Sequence, residues 1–218
     1  MHKKLLENYD VVIIGGGACG LMCAVHAGFL GKRALVLEKN DQVGAKILIS
    51  GGGRCNYTNL YSSAGNFISQ NEHFCKSAFS QWTVDDTIAF FETYGIQGQE
   101  KTLGQLFPIS NKAKDIIKIF ENLCDDLDQT IYCNAEVKAI MKLTNDHFQI
   151  SYARKDQINT LEVPKVVIAC GGLPIRTANS RNCTCIGTAY HHRKRCRLVC
   201  TAIWKCYLLP CFKRTHQL

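Results

Sequence analysis

Short apolar runs alternate with glycine turns and a helical repeat at the start of the chain. Residues 9–14 (YDVVII) form a β-branched run that predicts a buried parallel strand ending at a glycine. Residues 21–29 then place apolar side chains at helical spacing, so a helix is predicted to begin within the glycines and to end near Gly31. Residues 34–37 (ALVL) predict a second buried strand that ends at Glu38. This order of elements predicts a right-handed βαβ unit.

The next part of the chain is mainly helical in pattern. Residues 72–94 carry two helical patterns, and the second begins at Thr83, a suitable N-cap followed by acidic residues in the first turn. A glycine-containing connection leads to a third helix, predicted over residues 111–127.

The period then changes from helical to alternating. Residues 130–143, 147–154 and 158–163 predict short strands in an antiparallel meander, and residues 165–172 (KVVIACGG) predict a further apolar strand. The fold class expected is therefore α/β, with a Rossmann-like βαβ domain and a small antiparallel β-meander.

The pattern stops at residue 176, where composition and charge also change. Residues 1–175 hold 17 Lys and Arg and all 18 Asp and Glu, whereas residues 176–218 hold nine Lys and Arg and no acid. Six of the 13 cysteines also lie in the second segment. We expect residues 1–175 to form a dinucleotide-binding domain, incomplete at its end, and residues 176–218 to be an irregular, disordered Cys-rich basic tail.

Three interpretations of this tail stay open. Its Cys and His residues are soft metal ligands, but their spacing does not match the paired C-x₂₋₄-C motifs of structural zinc sites. Its nine cations would bind nucleic acid or an anionic membrane, without specificity. Acid depletion with Cys, Arg and His enrichment is typical of out-of-frame translation, which we favour. No metal and no specific nucleic acid are therefore expected.

Overall composition favours a soluble cytoplasmic protein. The chain has 46% hydrophobic and 20% charged residues. No run approaches the roughly 20 apolar residues that span a bilayer, and the N-terminus lacks the apolar region of a signal peptide. The sequence gives no indication of the oligomeric state.

A glycine-rich hexapeptide supplies the first candidate chemistry. It satisfies G-x-G-x-x-G and consists of Gly15, Gly16, Gly17, Ala18, Cys19 and Gly20. Placed between a strand and a helix, such a turn presents backbone amides to a diphosphate. Glu38 follows 18 residues after Gly20, where an acid accepts hydrogen bonds from the ribose hydroxyls of an adenosine and disfavours a 2′-phosphate. A glycine turn with a solvated surface glutamate is the simpler alternative.

Four motifs in this order resemble the HI0933-like family of flavoproteins: GGGACGLMCA, LEKNDQVGAKILISGGGRCNYTN, GQLFPISNKA and VVIACGG. The similarity covers residues 8–175 and implies a nucleotide domain similar to that of glutathione reductase. It implies FAD as cofactor, NAD(P)H as a possible reductant, a small-molecule substrate and hydride transfer through flavin N5. Family members are about twice this length, which implies a truncated copy that is weakly active or inactive. The alternative is a non-enzymatic binding module whose basic Cys/His tail binds nucleic acid, membrane or zinc.

The resemblance also nominates residues beyond the hexapeptide. In the loop 46–59, glycines would let backbone amides approach the cofactor, an arginine would offer a forked donor to phosphate, and amides would contact flavin or order the loop. Cys55 is favoured as a packed thiol over a redox group. Val137 is nominated as an adenine contact. The alternative, that it is an ordinary residue of the sheet with no ligand contact, stays equally open. The further nominated residues are Lys39, Lys46, Gly51, Gly53, Arg54, Cys55, Asn56, Ala169, Gly171 and Gly172.

Two positions depart from the family pattern. Cys170 stands where the family has Thr in A-T-G-G, which removes a hydroxyl. Gln105 stands where Arg is common beside the FP-x-S element, which weakens any expectation of a charge there. No residue is nominated as a proton donor.

Overall fold

The computed structural model describes residues 8–67, 71 and 73–171, which divide into two units. The first unit contains the described residues 8–45 and 120–171, and the second contains those between 46 and 119. The tail 176–218 and Gly172 lie outside the described residues.

The helices and strands are β1 (Val11–Ile14), α1 (Ala18–Phe29), β2 (Ala34–Leu37), α2 (Ala45–Ile49), β3 (Thr58–Asn59), α3 (Lys76–Phe79), α4 (Val84–Thr93), β4 (Gly98–Glu100), β5 (Gln105–Pro108), α5 (Ala113–Asp126), β6 (Thr130–Tyr132), β7 (Glu136–Lys142), β8 (Phe148–Arg154), β9 (Gln157–Val163) and β10 (Val166–Ile168). Short 3₁₀ turns occupy Ser50–Gly52, Ala64–Asn66 and Thr102–Gly104.

A four-stranded parallel sheet forms the centre of the first unit. Its order is β10-β1-β2-β6, and every neighbouring pair is parallel. All eight residues of β1 and β2 are buried, as continuous apolar runs in a doubly covered parallel sheet should be. Helix α1 connects these two strands, which confirms the predicted βαβ unit.

The antiparallel meander β7-β8-β9 covers one face of this sheet. Alternate residues of β1 and β2 point towards it because successive side chains in a strand face opposite sides. The shared core consists of Tyr9, Val12, Ile14, Leu35, Leu37, Ala135, Val137, Ile150, Tyr152 and Val163. On the opposite face, Ile13 lies against α1 at Gly20.

The prediction that residues 130–143 belong to the meander was wrong for their first part. β6 pairs with β2 in the parallel sheet, and only β7 joins the meander. Between them Asn134 has a φ of 52°, a left-handed conformation that asparagine tolerates better than most residues. The alternating pattern identifies strands but does not identify their partners.

The second unit contains a three-stranded antiparallel sheet of order β3-β5-β4. The sequence pattern predicted a connection where β4 and β5 lie and a loop where β3 lies, because these strands are two to four residues long and poor in β-branched side chains. Helix α4 begins as predicted: the Thr83 side chain accepts from the Asp86 amide, and the Asp86 carboxylate accepts from the Thr83 amide. The first helical pattern of 72–94 gives only the four-residue α3.

Candidate functional site

The turn after β1 has a conformation that requires glycine at its first position. Gly15 has a φ of 106°, and its amide donates to the Leu37 carbonyl oxygen at 2.9 Å. A Cβ atom on Gly15 would lie 2.7 Å from the Ala169 carbonyl oxygen. The turn therefore brings the carboxyl ends of β1, β2 and β10 to one place.

The other two glycines of the motif have opposite surroundings. A Cβ atom on Gly20 would overlap the Gly15 carbonyl oxygen, so close packing of helix on turn excludes any side chain. A Cβ atom on Gly17 would meet no atom within 4 Å. Gly17 is thus not required by packing within the described residues, and open space lies on the side where its Cβ atom would be.

Helix α1 begins without a side-chain cap. Its N-cap is Gly17, no side chain accepts from the first amides, and the first turn contains no acidic residue. A helix N-terminus carries partial positive charge and unpaired N–H donors, which suits an anionic group.

Glu38 is a buried acid fixed at the end of β2, only 7% exposed. One carboxylate oxygen accepts from the Gly16 amide at 2.6 Å, and the other accepts from the Asn40 amide at 2.9 Å and its side-chain nitrogen at 2.6 Å. A carboxylate has about four acceptor positions, so one remains for a ligand hydroxyl. These bonds are incompatible with the alternative of a solvated surface glutamate.

The end of β10 completes this edge. The Ala169 amide donates to the Ile14 carbonyl oxygen at 2.8 Å, and Gly171 has a φ of 78°. The exposed Cys170 places its sulfur 3.5 Å from the same Ile14 oxygen. The predicted residues 15–20, Glu38, Ala169 and Gly171 are therefore brought together within the first unit.

Val137 belongs to the same unit, but its side chain packs in the hydrophobic core. It is 9% exposed, lies in the core between sheet and meander, and precedes a bulge in the β7–β8 register. An adenine contact there would have to use the backbone, and it stays a prediction.

The loop 46–59 lies in the second unit and is held by its own contacts. Gly51, Gly52 and Gly53 all have positive φ, and a Cβ atom on Gly51 would lie 2.6 Å from the Phe107 ring. The Arg54 Nε donates to the Gly51 carbonyl oxygen at 2.9 Å, and its exposed guanidinium lies 5.2 Å from the Phe107 centroid. Arg54 is thus pre-positioned, with most of its donors still available.

The other polar residues of the loop order it. The Asn56 side-chain nitrogen, oriented to satisfy both neighbours, donates to the carbonyl oxygens of Thr58 at 2.8 Å and Leu106 at 3.2 Å. The Asn59 side chain donates to the Leu103 carbonyl oxygen at 2.8 Å. Cys55 is buried, and burial raises the pKa of its thiol. Both properties are those of a packed, unreactive cysteine. Lys39 and Lys46 are exposed, and their roles stay predictions.

Three features of the structure were not predicted from the sequence. The Asn40 side chain donates a hydrogen bond to the Glu38 carboxylate. The only sequence signal for this bond is the position of an asparagine two residues after the acid. Arg154 lies over the Tyr132 ring at 3.8 Å, and no sequence signal indicates this pairing. The second unit also has an open, largely apolar groove of about 360 Å³, lined by Thr58, Asn59, Ser62, Phe67, Phe74, Cys75, Ala78, Phe79, Trp82, Thr83, Val84 and Thr87.

Within the described part of the chain, no helix combines the length and the apolar character needed to cross a bilayer. In residues 8–67, 71 and 73–171, no three His, Cys, Asp or Glu side chains are grouped closely enough to hold a metal ion.

Comparison with known proteins identifies relatives of this chain. It is 40% identical over 168 residues to ribosomal RNA dihydrouridine synthase of Escherichia coli (strain K12), covering 77% of this chain and 40% of that protein. It is 30% identical over 170 residues to 3-dehydro-bile acid delta(4,6)-reductase of Clostridium scindens (strain ATCC 35704 / DSM 5676 / VPI 13733 / 19), with 77% and 40% coverage. The chain thus spans about two fifths of the length of these relatives.

A solved structure shares the fold. The 3-ketosteroid-delta4-(5alpha)-dehydrogenase of Rhodococcus jostii RHA1 matches with a TM-score of 0.50 at 14% identity, over 77% of this chain and 47% of that one. The profile of the HI0933-like protein Rossmann domain matches residues 9–191. The resemblance and the Rossmann-like fold predicted from the sequence are confirmed, and the chain belongs to the HI0933-like family of flavoproteins.

Proposed function

We propose that this chain is the nucleotide-binding part of an FAD-dependent oxidoreductase. The observation that carries the proposal is the hydrogen bond of 2.6 Å between the Gly16 amide and the buried Glu38 carboxylate. It couples a glycine turn at a helix N-terminus to an acid at the end of the next strand. This is the combination that holds the diphosphate and the ribose of a dinucleotide.

The residues present fit the adenosine diphosphate half of FAD. The uncapped N-terminus of α1 offers amides and positive partial charge to the diphosphate. The open space beside Gly17 allows the diphosphate to approach the backbone. The remaining acceptor position of Glu38 suits a ribose hydroxyl, whereas a 2′-phosphate would meet a buried negative charge.

When bound, FAD supplies a ring that takes and gives hydride at N5. This chain's own part is to bind and orient the nucleotide half. Arg54 and the glycine turn 51–53 are proposed to donate hydrogen bonds to the cofactor beyond the adenosine, as their exposed guanidinium and amide-rich backbone suit an anionic or carbonyl-bearing ligand. NADH or NADPH is proposed as the source of the hydride.

The names of the relatives support a finer proposal. A dihydrouridine synthase and a delta(4,6)-reductase both reduce a carbon–carbon double bond, so we propose this reaction class for the whole protein. The higher identity to the former favours a uridine in ribosomal RNA over the small-molecule substrate expected from the sequence.

Calorimetric titration of the 218-residue chain with FAD, ADP and FMN tests the cofactor proposal. FAD and ADP are expected to bind, and FMN, which lacks the adenosine half, is expected to bind far more weakly. Equal affinity for FAD and FMN would contradict the proposed site. A colourless chain with salt-sensitive RNA binding that disappears when residues 176–218 are deleted would instead support the binding-module alternative.

A further inference from the structure

Arg154 lies over an aromatic ring at the carboxyl edge of the parallel sheet. Its guanidinium carbon lies 3.8 Å from the centroid of the Tyr132 ring, which is a cation–π contact. Both side chains are only partly exposed. Among the residues that the structure describes, no carboxylate forms an ion pair with Arg154. The guanidinium therefore lies over the Tyr132 ring, is partly exposed, and keeps its charge without a carboxylate partner among these residues.

Hydrogen bonds tie this stack to Glu38. The Glu38 amide donates to the Tyr132 carbonyl oxygen at 2.8 Å, and the Ala135 amide donates to the Glu38 carbonyl oxygen at 2.8 Å. The Asn134 amide donates to the Asn40 carbonyl oxygen at 2.9 Å. These backbone hydrogen bonds thus hold the end of β6 next to the end of β2.

The charges around Cys133 support the same proximity. Burial raises the pKa of its thiol, Glu38 raises it further, and Arg154 lowers it. Cys133 therefore lies within electrostatic reach of both the proposed ribose acceptor and the stacked guanidinium.

Strand order gives the direction of the nucleotide. The glycine turn for the diphosphate follows β1, Glu38 for the ribose follows β2, and β6 is the next strand outward. A base attached to that ribose and continuing in the same direction would reach the end of β6. A planar guanidinium is a good stacking surface for a planar base.

We propose that Arg154, positioned by Tyr132, forms one face of the adenine site and stacks on the base of the bound nucleotide. This inference rests on the proposed function, because it places a base next to a ribose that Glu38 is proposed to hold. Arg154 is a cofactor-binding residue in this proposal, and Tyr132 is a positioning residue.

The chain contains a matched control. Arg33 lies over the Tyr9 ring at 5.5 Å and precedes β2, at the amino edge of the same sheet. This second Arg–Tyr pair is remote from the glycine turn because parallel strands place their two ends at opposite edges. Arg33→Gln removes the same charge and the same type of contact without affecting the proposed site.

The test compares Arg154→Gln, Arg154→Lys and Arg33→Gln in the 218-residue chain, with FAD and ADP titrated calorimetrically. Arg154→Gln is expected to weaken FAD and ADP by a similar factor of about ten, as loss of one base-stacking contact does. Arg154→Lys keeps the charge but loses the planar surface, so most of the loss is expected to remain. Arg33→Gln is expected to leave both affinities unchanged.

The outcomes are distinguishable. If the unchanged chain binds neither FAD nor ADP, the proposed function fails and this inference fails with it. If it binds both and the two Arg154 variants bind as tightly, the adenine site is elsewhere and only this inference is overturned. An equal loss in Arg33→Gln would also overturn it. Far-UV circular dichroism shows whether each variant is folded. If Arg154→Gln does not fold, the FAD and ADP affinities of Arg154→Lys, which is the smaller change, test the inference.

Discussion

The Glu38 carboxylate accepts a hydrogen bond from the Gly16 amide at 2.6 Å, and this bond joins the ends of the first two strands. The same side chain accepts two hydrogen bonds from Asn40. Glu38 therefore has a structural role that is present without any ligand. A cofactor that uses its remaining acceptor position meets an acid that is already oriented, which lowers the entropic cost of binding.

Glu38→Gln should weaken both folding and cofactor binding. An amide cannot accept from all three donors, and charged hydrogen bonds each contribute about 1.5–3 kcal/mol. We expect a lower free energy of unfolding and at least about tenfold weaker FAD binding, measured by urea titration and calorimetry. Glu100→Gln, at an exposed position in the second unit, removes the same charge and should change neither quantity.

Gly17→Ala and Gly20→Ala should separate binding from folding. A Cβ atom on Gly20 has no room against the Gly15 carbonyl oxygen, so Gly20→Ala is expected to cost about 1–3 kcal/mol of stability or more. Gly17→Ala meets no atom and has a φ of −80°, so the fold should persist while the diphosphate is kept from the backbone. Thermal unfolding and FAD titration measure the two effects. Tight FAD binding by Gly17→Ala would contradict the proposed diphosphate position.

Arg54→Gln should weaken FAD binding without changing ADP binding. Its guanidinium is exposed and lies over Phe107, so its removal should cost less than about 1 kcal/mol of stability. Lys101→Gln is the matched control, because Lys101 also lies over the Phe107 ring, at 4.7 Å. Equal losses for FAD and ADP would place Arg54 at the adenosine half instead.

Tyr57→Phe should stabilise the protein or leave its stability unchanged. Within the described residues the buried Tyr57 hydroxyl has no hydrogen-bond partner, and burial raises its pKa to about 12. Removing an unsatisfied hydroxyl recovers up to about 1–3 kcal/mol, while the ring contact with Phe91 at 5.0 Å is kept. The melting temperature measures this, with the exposed Tyr61→Phe as control. A clear loss of stability would show that the hydroxyl has a partner.

Stability should fall as the pH decreases from about 6.5 to about 4 because of His26. Burial lowers the pKa of His26 to about 4, below the ordinary value of 6.5. As the pH decreases, His26 is protonated in the unfolded chain at a higher pH than in the folded chain. The stability that neutral His26 contributes is therefore fully present above pH 6.5 and decreases as the pH falls towards 4. The loss has an upper limit of about 3 kcal/mol.

His26→Leu should flatten this pH dependence, measured by urea unfolding at a series of pH values. His147→Leu changes a partly exposed histidine, paired with Glu162, and should retain the slope between pH 6.5 and 4. An unchanged slope in His26→Leu would assign the acid sensitivity to other groups.

The sequence by itself determined the βαβ unit, the Thr83 N-cap of α4 and the candidate residues 15–20 and Glu38. These features depend on local information: β-branched runs buried on both sides, helical spacing, and glycines at positions where φ is positive or backbones meet. The same local signals left open whether Glu38 is solvated, since burial depends on contacts with residues distant in the chain.

Only the tertiary structure decided the pairing of the strands outside the βαβ unit. β6 leaves the meander for the parallel sheet, and β3, β4 and β5 form a sheet from a stretch without an alternating pattern. The stack of Arg154 on Tyr132 likewise joins residues 22 positions apart in the sequence. Such pairings follow from where the whole sheet can bury its apolar faces, a property of the assembled layers that no single segment encodes.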